Sequence, residues 1–283
     1  MLNAVNTELC DRWQLERRLA DGWNEGAYLL RRPDGPRAVL KYRVSEPERL
    51  LGARERVEAA RARGWPAPAW LAAGRAPTGE AWVVQEFIDG RQPPRLDDAV
   101  AEQMTGILDL QAAMFPGAVG GWGQWASGVV FEDWDGLRDR VRSGVPGGRR
   151  IVAAVDAIAQ ACSPGQLSGH DLVHGNFNLA NTIATPDRLW VVDVEGLGTG
   201  PRAYDLAEAL MLAAGEGHAS ESAAARLWAY GAGLDRREVA ICAGSVGLTM
   251  ADSFVRHDRA DEAAAAVPGM VRTVEQALAL ARA

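Results

Sequence analysis

The sequence predicts an α+β chain: a small antiparallel sheet carrying one helix, followed by a larger, mostly helical region. Three observations predict it. Short apolar runs joined by turn signals crowd the N-terminal third, the pattern of strands. A polar Pro/Gly stretch, Gly90-Arg91-Gln92-Pro93-Pro94, closes them. Beyond it, apolar residues recur with helical spacing over most of the chain. The boundary divides the 283 residues into an N-terminal domain, 1–89, and a C-terminal domain, 90–283, a length sufficient for a sizeable core.

In the N-terminal domain, Leu15 to Leu19 reads as a first strand leading into the glycine-containing turn Asp21-Gly22-Trp23-Asn24-Glu25-Gly26. Such a turn can bring backbone N–H groups close to phosphate oxygens, although two glycines in a hairpin are more often a turn and nothing else. The runs 27–32 and 37–42, AYLLRR and RAVLKY, flank Pro33-Asp34-Gly35-Pro36 and predict a hairpin. Pro47 to Arg63 follows as a helix with Leu50, Ala53, Val57 and Ala60 on one face, stopped by Gly64 and the WPAP run after it. Ala81 to Ile88 reads as a buried strand ended by Asp89-Gly90.

In the C-terminal domain helices are expected over 96–113, 134–142, 151–161, 201–214, 222–232, 238–255 and 269–283, with a glycine-rich loop holding Trp122, Trp125 and Trp134 over 117–135. Those tryptophans suit either stacking on a ligand or closing a local core. One interval breaks the helical pattern. Thr182 to Ala184 and Leu189 to Val192 flank the turn Thr185-Pro186-Asp187-Arg188, a hairpin that would hold Asn181 at its start and Asp193 at its end. An amide oxygen beside a carboxylate is a suitable oxygen-ligand pair for Mg²⁺. Asn176, five residues before Asn181, sits where a hydroxyl-bearing substrate could approach, and Asp205 is placed to bond loop backbone or cap a helix.

Composition narrows the function classes. The chain carries 37 acidic and 30 basic side chains, net −7, which argues against a nucleic-acid protein and is compatible with a cationic small-molecule partner. A 48% hydrophobic, 24% charged composition excludes a mostly disordered chain. Cys10, Cys162 and Cys242 are widely spaced and form no CxxC pair, which excludes a disulfide framework or zinc ribbon and favours a reducing, cytoplasmic setting. No stretch approaches a signal peptide or a membrane span, so no membrane partner is expected. Lys41 is the only lysine; every other basic residue is arginine. A position that keeps lysine against such a bias needs a compact ammonium rather than a planar guanidinium.

The pattern HGN(x)₄N over 174–181, an aspartate twelve residues on at Asp193, and the YDLA helix start at 204–207 resemble the aminoglycoside phosphotransferase family. That family reads HGDxxxxN, then a metal-binding aspartate and a DLA segment. The resemblance covers roughly residues 15 to 215 in order. It implies a protein-kinase-like bilobal fold, with a small antiparallel-sheet N-lobe and a larger, mostly helical C-lobe. It also implies a phosphotransferase that uses ATP or GTP with Mg²⁺ on an alcohol group of a small antibiotic, conferring resistance.

Residue by residue, the resemblance implies that Lys41 grips the α/β-phosphates and that Glu55, or alternatively Glu58, pairs with it from the helix. Glu86 and Ile88 take the hinge positions whose backbone bonds the adenine, and Asn181 and Asp193 are the metal ligands. Asn176 departs from the pattern, because the family has aspartate there as the base that accepts the hydroxyl proton. An amide cannot accept that proton at neutral pH, and losing a general base costs roughly 10²–10⁴-fold in rate. The chain is therefore an inactivated or weakly active form: an introduced Asp→Asn change, a natural pseudokinase, or an enzyme with another base, for which Asp171 and His174 are nearby. His174 is otherwise expected to organise the loop. Asn178 also stands where many relatives carry histidine. Glu195, Asp252, Asp258, Asp261 and Glu262 could supply anionic contacts to a cationic acceptor, or form a solvated helix end. A metabolic small-molecule kinase and a nucleotide-binding pseudokinase remain the alternatives.

Overall fold

The structure is a computed structural model that describes residues 2–10, 12–19, 27–33, 35–43, 47–115, 121–215 and 217–283. The turn Asp21 to Gly26, read either as a phosphate-approaching loop or as a turn and nothing else, lies outside the described residues. The chain divides into two compact units, Met1–Arg91 with Thr182–Leu197, and Gln92–Asn181 with Gly198–Ala283. Two consecutive segments, 1–89 and 90–283, leave no place for the returning segment Thr182–Leu197.

The first unit is built on five antiparallel strands, β1 (Gln14–Leu19), β2 (Ala27–Arg31), β3 (Arg37–Arg43), β4 (Trp70–Arg75) and β5 (Ala81–Glu86), in the order β1-β2-β3-β5-β4. Side chains alternate across a strand, and the register pairs Leu40 with Val84 and Lys41 with Val83. Leu30, Ala38, Leu40, Trp82 and Val84 therefore form one apolar face, joined by Val5 and Trp13. Lys41, Val83 and Gln85 fall on the opposite face. A short N-terminal helix, α1 (Leu2–Glu8), which the sequence reading passed over, is fixed by Asn6. Its side chain donates to Trp13 O at 3.0 Å and accepts from Trp13 N at 2.8 Å. The helix α2 (Pro47–Ala62) buries Leu50, Ala53, Val57 and Ala60, the apolar face read from the sequence.

The second unit contains α3 (Asp98–Gln111), α4 (Gly121–Phe131), α5 (Leu137–Gly144) and α6 (Gly148–Ala161). Next come the strand β6 (Asp171–Val173), the hairpin strands β7 (Thr182–Ala184) and β8 (Leu189–Val191), which belong to the first unit, and β9 (Gly198–Gly200). The chain ends with α7 (Ala203–Ala213), α8 (Glu221–Ala232), α9 (Arg236–Arg256) and α10 (Ala260–Arg282). Side-chain oxygens cap three of the helices: Asp97 accepts from Val100 N, Ser220 from Ala223 N, and Asp235 from Arg237 N and Glu238 N. The α9 helix is the core of the unit and packs against α4, α5, α6, α7 and α10. By length and composition alone it is apolar enough to cross a membrane, contrary to the expectation that no stretch approaches a span; 72% of its most apolar window is buried inside the protein.

Two stretches fold differently from their sequence reading. The glycine-rich interval expected as a loop contains α4, and Gly128 within it is a packing position rather than a turn. A Cβ on Gly128 would lie 2.7 Å from Cε2 of Trp134, so glycine there lets the indole lie against the helix backbone. The last helix begins at Ala260 rather than 269 and runs through Pro268.

Candidate active site

Lys41 and Asp193 fall in the first unit and the HGN loop in the second. In the first unit Lys41, on the face of β3 opposite Leu40, places Nζ 2.8 Å from Asp193 Oδ1 and 2.9 Å from Glu195 Oε1. The single lysine thus meets the aspartate of the VVD run. Burial works against its charge, yet the Glu195 and Asp193 carboxylates hold its pKa above the ordinary lysine value. Asp193 adopts a left-handed backbone, φ +62°, as β8 turns into the short 3-10 segment Val194–Gly196. Aspartate is among the few residues other than glycine that accept this conformation. Glu195 is 3% exposed, and burial raises its pKa while Lys41 pulls it down. Gln85 Nε2 donates to Glu195 Oε1 at 3.4 Å, and Arg56 Nε donates to Leu197 O at 2.7 Å.

This arrangement corrects one expectation. Glu55 lies exposed on α2, and Glu58 pairs with Arg54 at 2.9 Å; neither reaches Lys41, whose carboxylate partners are Asp193 and Glu195. Within the helix, the residue turned toward this segment is Arg56. The sequence reading missed Glu195 in this role, although it is the one other acid in the otherwise apolar run VVDVEGLG.

At the end of β5, Glu86 N donates to Ala69 O at 2.8 Å and its Oε2 accepts from Ala69 N at 3.2 Å. Ile88 is buried, and the segment around it is held by Arg37, which pairs with Asp89 at 2.8 Å and lies over the Phe87 ring. Glu86 is thus tied through both its backbone and its side chain, and the two neighbours of Ile88 through Arg37.

In the second unit the loop after β6 is organised by a carboxylate from the start of α7. Asp205, fully buried, accepts from His174 N at 2.7 Å, Gly175 N at 2.8 Å and Gln111 Nε2 at 2.8 Å. Burial raises its pKa, with His174 and these donors opposing. His174 is buried and accepts from Asn176 N through Nδ1 at 3.2 Å, the loop-organising contact expected of it. Gly175 has φ +79°, and a Cβ there would fall on the Trp122 ring, 2.5 Å from Cε2 and closer still to Cζ2 and Cη2. Trp122 in turn packs on Tyr204, ring centroids 4.9 Å apart. The sequence reading noticed Trp122 but not that it seats this loop.

Asn176 is exposed at the loop tip. Its Oδ1 accepts from Asn178 Nδ2 at 2.6 Å and its carbonyl accepts from Asn181 Nδ2 at 2.9 Å. Asn181 is thereby oriented, and among the described residues its Oδ1 has no hydrogen-bond partner. That oxygen and the Asp193 carboxylate are the donor types Mg²⁺ takes. No cluster of three or more His, Cys, Asp or Glu gathers among the described residues, which suits an ion that fills its shell with phosphate and water.

The acids expected to meet a cationic acceptor are largely engaged already. Asp252, 3% exposed, accepts from Arg140 at 2.8 Å and Arg256 at 2.5 Å, Glu262 pairs with Arg259, and Glu195 is committed to Lys41.

A five-stranded antiparallel sheet with lysine on its third strand, an ordered HGN loop and a lysine-paired aspartate define a protein with the kinase-like fold of small-molecule phosphotransferases. The comparisons agree: residues 16–241 match the model of the phosphotransferase enzyme family. The chain belongs to that family. Among solved structures it resembles a thermostable mutant of aminoglycoside phosphotransferase APH(4)-Ia in ternary complex with ADP and hygromycin B. The identity is 16% and the TM-score 0.68, covering 96% of this chain and 97% of that one. It also resembles amicoumacin kinase hAmiN in complex with AMP-PNP, Ca²⁺ and Ami, at 12% identity and TM-score 0.63 over 97% and 92% of the chains. Aminoglycoside-3'-phosphotransferase of type VIII aligns at 23% identity and TM-score 0.59, over 87% and 97%. At these identities the likeness establishes the fold. No curated protein sequence matches the chain.

Proposed function

We propose that the chain is an ATP- or GTP- and Mg²⁺-dependent O-phosphotransferase acting on a hydroxyl of a small cationic antibiotic, an aminoglycoside or a basic peptide or nucleoside antibiotic, and conferring resistance. The observation that carries this reading is the ion pair between the only lysine, Lys41, and Asp193. In the reaction the acceptor oxygen attacks the γ-phosphorus, the bond to the leaving nucleoside diphosphate breaks, and the hydroxyl proton passes to solvent water. Catalysis of this kind is chiefly positioning and neutralisation of charge. Lys41 holds the α/β-phosphates, the backbone of Glu86 and Ile88 bonds the base, and Asn181 and Asp193 hold the metal, which neutralises phosphate charge when bound. Asn176 hydrogen-bonds the acceptor hydroxyl but cannot take its proton, so transfer by this chain is slow. The fold likeness to structures holding ADP with hygromycin B and AMP-PNP with Ami supports the substrate class.

Of that set, Asp252, Glu262 and Glu195 are paired with basic side chains, which leaves Asp258 and Asp261 to select a cation. That observation favours a second reading, a metabolic small-molecule kinase on the same fold. Asn176 itself favours a third, a nucleotide-binding pseudokinase.

The test is triphosphate turnover by Asn176→Asp beside the parent chain, over a panel of basic antibiotics and neutral amino alcohols and sugars. A carboxylate at 176 still accepts the Asn178 amide, so the loop is expected to tolerate it. A gain of about 10²-fold or more on one acceptor is expected and identifies the class. Nucleotide binding without turnover on any acceptor would leave the pseudokinase. Lys41→Ala is expected to abolish protection by Mg²⁺–ATP against thermal unfolding, and unchanged protection would overturn the phosphate role.

A further inference from the structure

We infer that Glu195 is the positioning residue for Lys41, the part expected of a glutamate on α2, and that it frees Asp193 for the metal. The inference rests on the reading of Lys41 as the phosphate-binding lysine. Lys41 has two carboxylate partners of different character. Asp193 has a side chain 31% exposed and is two residues past the end of β8, whereas Glu195 is 3% exposed and held from beneath by Gln85. A buried carboxylate is costly to separate from the cation it pairs with, so Glu195 stays with Lys41 while Asp193 is the partner able to turn to another charge. Gln85 is itself 2% exposed and lies on the same face of the sheet as Lys41, because β5 alternates and Val83 pairs with Lys41.

The helix contributes to this arrangement with the opposite charge. Arg56 ties α2 to the carbonyl of Leu197, two residues beyond Glu195, while Glu55 faces away. Packing of α2 against the 194–196 turn is therefore transmitted to Lys41 through the turn's own glutamate. In a chain where the glutamate came from the helix, movement of the helix alone would release the lysine. Here the lysine partner and the aspartate share one short segment, and the pair is set when that segment is set.

The consequence is a specific metal dependence. With Glu195 present, Lys41 keeps a carboxylate partner when Asp193 turns to Mg²⁺. Without it, Lys41 and the metal compete for Asp193. ATP binding is measured by isothermal titration calorimetry across a Mg²⁺ series for the parent chain, Glu195→Gln, Glu195→Asp, Glu55→Gln and Lys41→Ala. The expected result is that Glu195→Gln needs about tenfold more Mg²⁺ for half-maximal ATP binding, the loss of one charge-assisted contact. Glu195→Asp, which restores the charge, recovers most of this, and Glu55→Gln matches the parent. If Glu195→Gln fails to fold by circular dichroism, Glu195→Asp carries the test through a smaller shift in the same direction. Parent-like Mg²⁺ dependence in the folded Glu195 variants, with binding lost in Lys41→Ala, overturns the inference and leaves the proposed function standing. Parent-like binding in Lys41→Ala overturns both.

Discussion

Gly175→Ala tests how the loop that carries Asn176 is seated. Two costs add at this position. The backbone sits at φ +79°, where any Cβ is strained, at about 1–2 kcal/mol. The Cβ would also be forced into the Trp122 ring, at 2.5 Å from Cε2 and less from two further ring atoms. Trp122 cannot simply retreat, since it packs on buried Tyr204, and overpacking of this kind costs about 1–3 kcal/mol. The sum is about 2–5 kcal/mol, a large share of the stability of an ordinary domain. Urea unfolding followed by tryptophan fluorescence measures it. The two parts separate in a double-mutant cycle: in a Trp122→Leu background the steric part vanishes and only the backbone strain of about 1–2 kcal/mol remains. A cost for Gly175→Ala below about 1 kcal/mol, or an equal cost in both backgrounds, would refute the reasoning.

Asp205→Asn exchanges a carboxylate that accepts three hydrogen bonds for an amide with a single acceptor oxygen. It is expected to cost about 1–3 kcal/mol in chemical unfolding and to speed amide exchange at His174 and Gly175. Burial pushes the Glu208 carboxyl up from 4.5 to about 8, with repulsion from Asp205 adding and the Phe177 amide opposing. The folded state therefore holds more protons than the unfolded one between these values, and this group makes stability fall as pH rises through that window. Glu208→Gln is expected to flatten the fall and raise the melting midpoint at the alkaline end of the window. A variant with the parent's pH profile would show that Glu208 is not the titrating group.

Much of this protein was legible in its chain order because the signals are local. Alternation and turn residues located β1, β2, β3 and β5, and the apolar face of α2 was readable from its spacing. The HGN loop and the VVD run were legible for the same reason, since loop chemistry requires particular residues at short, fixed separations. The asparagine at 176 was visible as a departure for the same reason. Where glycine served packing against an indole rather than a turn, as at Gly128 in α4, the glycine signal pointed to a loop and misled.

Partnership across the sequence was decided elsewhere. Glu55 and Glu195 are both acids near the edge of an apolar run, and nothing within either run says which one meets Lys41, 154 positions from Glu195. The choice is made by the register of β3 on β5, which turns Lys41 and Gln85 to one face. The return of Thr182–Leu197 to the first unit then delivers Asp193 and Glu195 there together. The same holds for Asp252, which is a surface acid by composition and a buried ion-pair centre in the structure. The sequence by itself determined the fold class, the lysine and the HGN loop, because these depend on residue type and short spacing. Only the tertiary structure decided which charges are spent on one another, because a carboxylate's role is set by the cations and the water within a few ångströms of it.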